Sequence, residues 1–157
     1  MLKYFSTNVV FSEIPDEITL AVELSKCPIR CPDCHSKHLW EDIGIELTVE
    51  ELDKMLNTPA ITCVCFLGGD NDSELLLDYI NYIKSKYNLK TAWYSGKVFP
   101  ITDKYNNLDY IKQGPFIKEL GPLNSKTTNQ KMFKKYNGVW KDITNKFWKK
   151  EDVALSD

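Results

Sequence analysis

The sequence predicts an α/β fold on a mainly parallel sheet: a partial, open (βα) barrel in which one domain spans residues 1–157. Three observations lead there. Short apolar or β-branched runs alternate with stretches whose apolar residues recur at helical spacing, the pattern of strand–helix–strand units with right-handed crossovers. One run is apolar at every position, as a strand buried on both faces of a parallel sheet must be. Finally, a closed eight-unit barrel needs roughly 250 residues, and this chain has 157.

Ile18 to Leu24 is apolar and β-branched enough for a first strand, and it runs directly into Cys27. Thr48-Val49-Glu50-Glu51 reads as a capping box: the Thr48 hydroxyl accepts from the Glu51 amide and the Glu51 carboxylate returns to the Thr48 amide. Leu47 and Leu52 sit where a hydrophobic staple places them, Leu52, Met55 and Leu56 supply a core face, and Pro59 closes the helix. Ile61 to Leu67 is the continuously apolar strand, ended by Gly68-Gly69-Asp70. A helix is expected from about Asp72 to Tyr87, with Leu75, Leu76, Tyr79, Ile80 and Ile83 on one stripe. A third strand, Leu89 to Tyr94, ends at Ser95-Gly96, and a fourth, Leu108 to Lys112, ends at Gln113-Gly114-Pro115. The core is thus expected over about 16–120, with an extension over about 121–157. Ligands of such sheets sit beyond the C-terminal strand ends. Cys27, Gly68, Ser95 and Gly114 each come just after a different strand, so they are expected to converge.

Composition narrows the function classes. Twenty basic against 22 acidic residues leave a net charge of −2, so no global field favours nucleic acid or an anionic membrane surface. The stretch Lys126 to Lys135 reads as a solvated surface segment. No segment approaches the roughly 20 apolar residues that span a bilayer, and the first residues lack a long apolar signal stretch. A cytoplasmic protein is expected.

Five cysteines, an odd number, all lie between Cys27 and Cys65. That clustering points to metal binding or reactivity rather than a disulfide framework. Cys27, Cys31 and Cys34 place three thiolates in eight residues, enough to hold three irons of a cubane [4Fe–4S] cluster and leave the last without a protein ligand. Pro28 and Pro32 oppose a helix there and favour a loop around something compact. A structural zinc site is the competing reading, with His35, His38, Cys63 or Cys65 completing a tetrahedral set. Cys63 and Cys65 share one face of a buried strand, as small core residues or with a redox or second-cluster role.

The Cys-x-x-x-Cys-x-x-Cys loop after a first strand resembles the radical S-adenosylmethionine superfamily. Within it, Cys27 to His35 with Leu39-Trp40, Trp93-Tyr94-Ser95-Gly96, Gln113 to Leu120 and Thr128-Asn129-Gln130-Lys131 are similar to segments of the anaerobic ribonucleoside-triphosphate reductase activating enzymes. The resemblance covers roughly 18–143. Lys26 stands where that family has Gly, Asn71 where it has Pro, and Gln113 where it has Asp.

The resemblance carries specific implications. The fold would be of the radical S-adenosylmethionine type, with Cys27, Cys31 and Cys34 as cluster ligands. Gly68, Gly69 and Asp70 would match the Gly-Gly-Glu segment that receives the methionine ammonium, with Ser95 and His35 as further cofactor contacts. The cluster and S-adenosylmethionine would be the cofactors, and reductive cleavage would yield a 5′-deoxyadenosyl radical that takes a hydrogen from a glycine of the reductase. An electron donor such as flavodoxin is implied as a second partner; nucleic acid and membrane are not. A small-molecule enzyme such as 7-carboxy-7-deazaguanine synthase is the alternative, and a non-catalytic zinc-binding interaction module a third. His38 is expected to be structural, while Trp140, Phe147 and Trp148 would pack on the core or on a partner.

Overall fold

A computed structural model describes residues 1–29 and 37–148. One sheet of eight strands organises them, in the order β3-β1-β2-β4-β5-β6-β7-β8. The strands are β1 (Lys3–Val10), β2 (Thr19–Leu24), β3 (Ile45–Glu46), β4 (Cys63–Leu67), β5 (Lys90–Tyr94), β6 (Tyr110–Gln113), β7 (Lys131–Tyr136) and β8 (Val139–Asp142). Two α-helices, α1 (Val49–Leu56) and α2 (Ser73–Lys86), accompany them.

The four strands read from sequence form the middle of the sheet and are parallel in the order β2-β4-β5-β6. The expectation of a mainly parallel sheet is corrected at the flanks, where β1 and β3 on one side and β7 and β8 on the other pair antiparallel. At the β7–β8 edge the connection explains the difference. A parallel return needs a long crossover, whereas a short turn forces an antiparallel hairpin. Asn137-Gly138, both at positive φ (49° and 79°), is the two-residue turn whose twist suits a hairpin. It joins β7 to β8. The Lys126–Lys135 stretch is therefore not merely a solvated segment, since its second half forms β7 and buries Met132.

Both helices cover one face of the sheet. Leu52 and Leu56 of α1 and Leu76, Ile80 and Ile83 of α2 pack on Leu20, Val22, Leu24, Val64, Phe66, Trp93 and Ile111. Leu75 and Tyr79 flank this buried stripe and are only partly covered. No α-helix lies between β5 and β6; the crossover packs instead through a stack of Trp93, Phe99 and Tyr105, with successive ring centroids 5.5 and 4.9 Å apart. The opposite face carries Cys63, Cys65, Ala92, Tyr110 and Met132, covered by Ile14 and Ile143. Trp140 packs against the helical side and Phe147 against the other, so these two tail aromatics serve the core.

The cap on α1 is half of the expected box. Thr48 Oγ1 accepts from the Glu51 amide at 3.2 Å, and Leu47 and Leu52 are buried together as the staple requires. The Glu51 carboxylate turns away, accepting from the Tyr4 hydroxyl at 2.7 Å and from Lys54. A phenol brought in by β1 outcompetes the helix's own first amide, and it draws the Glu51 pKa below the ordinary carboxylate range. Because the remaining cap bond stands alone, Thr48→Ala should cost about 1 kcal/mol, read as a lower urea midpoint at unchanged slope.

Candidate functional site

The parallel strands all end at the same edge, and the segment leaving each strand meets the segment leaving its neighbour. Beyond β2, Ser25 is buried and tied on two sides: its amide donates to Lys3 O at 2.9 Å and its hydroxyl to Ile43 O at 2.7 Å. Lys26 then turns through φ 59°, the left-handed region that an L side chain occupies at a cost of roughly 1–2 kcal/mol. Its amide donates to Glu41 O. Cys27 comes next, half-buried and free.

Beyond β4, Gly68 and Gly69 both have positive φ, 101° and 93°. At Gly68 the close approach matters as much as the dihedral, because an added Cβ would lie 3.0 Å from Leu24 O. The Gly68 amide donates to Tyr94 O at 3.1 Å and the Trp93 indole donates to Gly68 O at 2.6 Å. Asp70 is 6% exposed. Its carboxylate accepts from Ser95 Oγ at 2.5 Å and from the Gly96 amide at 3.0 Å.

Beyond β6, the Gln130 side chain donates to Gly114 O at 3.3 Å and the Asn129 side chain to Pro115 O at 3.1 Å. Two segments separated by more than a dozen residues, Gly114-Pro115-Phe116 and Asn129-Gln130, thus form one rim. Gln113 does not join it. Its amide pairs with the backbone of Phe99, donating to Phe99 O at 2.8 Å, so it holds the β5–β6 crossover.

These ends enclose a pocket of about 290 Å³ lined by Cys27, Ile29, Gly68, Asp70, Ser95, Gly96, Gly114, Phe116 and Gln130, with Leu24, Trp40, Leu67, Tyr94 and Pro115 as apolar and aromatic walls. The expected convergence of Cys27, Gly68, Ser95 and Gly114 is thereby realised. Gly69 lies behind the pocket, against Leu76 and Leu24. Cys31, Cys34, His35 and the side chain of His38 fall outside the described residues.

Two further charged residues line the same pocket, Glu13 and Lys112. Lys112 was findable: it lies two residues after the inward Tyr110 on one strand, so strand alternation sends it to the same face. Glu13 carried no sequence signal. The Tyr94 hydroxyl donates to its backbone carbonyl across 81 residues, and burial keeps that phenol protonated well above its usual range.

Cys63 and Cys65 are not part of the pocket. Both are fully buried in the sheet. Burial pushes the Cys63 thiol up to about 12, and Cys65 is raised for the same reason. Thiolate is the reactive and metal-binding form, so these two are core residues. Four strand ends, a cysteine at the rim and several glycines thus border a hollow near the lower end of ligand-pocket sizes, ~300 Å³.

Cys27, the first of the three clustered cysteines, opens onto this hollow at the edge of an open α/β sheet, as suits an iron–sulfur domain. More particularly, residues 18–137 match the family described as 4Fe-4S single cluster domain, and the chain belongs to that family. No curated protein and no solved structure gives a match. No helix among the described residues is long and apolar enough to cross a membrane.

The site yields two expected outcomes. The folded protein holds the Cys63 proton more tightly than the unfolded chain does. Stability should therefore be full below about pH 9 and fall as pH rises toward about 12, with Cys63→Ala removing part of that slope in urea melts. Lys26→Gly removes the left-handed strain and should raise stability by about 0.5–1 kcal/mol, checked by the shift in midpoint.

Proposed function

We propose that this chain is a radical S-adenosylmethionine activating enzyme that generates a glycyl radical on an anaerobic ribonucleoside-triphosphate reductase. The observation that carries this reading is the joining of the Gly114-Pro115-Phe116 and Asn129-Gln130 segments into one rim of the pocket that holds Cys27. Both segments are the ones that resemble the activating enzymes, and neither is needed by a plain cluster carrier.

In this reading Cys27, Cys31 and Cys34 would hold the [4Fe–4S] cluster, and Gly68, Asp70, Ser95 and His35 would form the S-adenosylmethionine side, with Gly69 set behind them. When bound, the cluster supplies the single electron that cleaves the sulfonium. The balance is one electron from a donor such as flavodoxin, methionine and 5′-deoxyadenosine as products, and one hydrogen atom from the Cα of the partner's glycine. The chain's own residues do the rest. Leu24, Leu67, Tyr94 and Phe116 keep water from the reacting end. Lys112 and Glu13 offer charges of both signs to a zwitterionic ligand. The parallel unit β2-β4-β5-β6 would serve as a truncated radical S-adenosylmethionine barrel. Its unclosed side gives room for a protein loop rather than a small substrate alone.

Anaerobically reconstituted protein should be brown, bind about four irons, and release 5′-deoxyadenosine from S-adenosylmethionine on reduction. Cys31→Ala should abolish that release. Mixed with an anaerobic reductase, the reduced protein should give the glycyl doublet in electron paramagnetic resonance. Colourless protein carrying stoichiometric zinc, or full release by Cys31→Ala, would overturn the radical chemistry. Turnover of a pterin-like substrate without a doublet would move the reading to a small-molecule enzyme.

A further inference from the structure

We propose that Asp70 and Ser95 are positioning residues that set the backbone at Cys27, acting through Gly96 and Ile29. The pair is complete within the protein itself. Both oxygens of the buried Asp70 carboxylate are engaged, one by Ser95 Oγ at 2.5 Å and one by the Gly96 amide at 3.0 Å. Ser95 is 1% exposed, and its oxygen accepts from the Lys97 amide at 3.0 Å, which directs its own proton to Asp70. Lys97 Nζ closes the knot on Asp70 O at 3.4 Å. Hydrogen bonds to a charged acceptor are the strong kind, so this knot fixes the end of β5 against the end of β4.

The knot in turn fixes a landing surface. Ile29 lies on the bare α-carbon of Gly96: a Cβ there would come within 2.6 Å of Ile29 Cγ1 and 3.2 Å of Ile29 Cβ. Ile29 is two residues past Cys27, and both line the pocket. The Gly96 amide that donates to Asp70 belongs to the residue on which Ile29 rests. The carboxylate therefore reaches Cys27 through one backbone unit and one apolar contact. The role deepens the S-adenosylmethionine reading and takes from it the meaning of the cysteine loop, yet it concerns protein contacts alone.

The test uses the metal-free chain, so it stands whether or not the proposed reaction occurs. Cys27, Cys63 and Cys65 are followed individually by alkylation and peptide mass spectrometry in the wild type, Asp70→Asn and Ser95→Ala. The two sheet cysteines report global opening. The expected result is Cys27 modified about tenfold faster in Asp70→Asn, the factor matching loss of a charge-assisted bond of about 1.4 kcal/mol. A smaller rise is expected in Ser95→Ala, and no change at Cys63 and Cys65 in either. An unchanged Cys27 rate would overturn the proposal. A parallel rise at all three cysteines would overturn it too, reducing the pair to general stability. If Asp70→Asn does not fold, Ser95→Ala, which removes a single hydroxyl, decides.

Discussion

Strands that end side by side must each leave the sheet without running into the neighbour's exit, and this steric constraint shapes the site. Lys26, Gly68, Gly69 and Gly114 leave with positive φ, and Gly96 yields its side-chain space to Ile29. Left-handed exits turn the chain sharply over the sheet edge, which brings the segment after each strand back against the next. The pocket is the space left between those turns. Its position comes from the parallel arrangement, since only parallel strands put all their C-terminal ends on one side.

The two faces of the sheet divide the labour. Helices seal one face with large aliphatic side chains and thereby hold the strands in register. Across the other face runs a row of small residues, Ala21, Cys65 and Ala92, paired directly strand to strand. Beside these small side chains pack Ile14, Met132 of β7 and, just beyond β8, Ile143. The same residue type consequently has two fates. Buried in that row, cysteine is a compact apolar filler with a suppressed thiolate; beyond a strand end, at the pocket, it is accessible for ligation.

The antiparallel flanks complete the picture. They widen the sheet without closing it, and the loops beside them add Glu13, Pro115 and Phe116 to the pocket lining. Tyr94 draws the first of these inward and Gln130 the second. Edge hairpins thus supply walls that the parallel core lacks.

Much of this was legible in the chain. The apolar run into Leu67, the helical stripe through Ile80 and the cysteine spacing are local patterns, and local patterns report burial periodicity and ligand reach directly. So the four central strands and both helices could be read. The Asn137-Gly138 turn was also readable in principle, but its flanking strand is interrupted by lysines that hide the alternation. Glu13, the shared rim of Gly114 and Asn129, and the turn of Glu51 toward Tyr4 could not be read. Each depends on a partner brought from another strand, and such pairings are chosen by which donor reaches an acceptor after the sheet has assembled. Sequence alone determined the four central strands, the two helices and the clustering of three cysteines within eight residues, because each is a matter of spacing along the chain. Only the tertiary structure decided that Asp70 and Ser95 spend their side chains on each other, because that bond exists only where two strand ends lie adjacent.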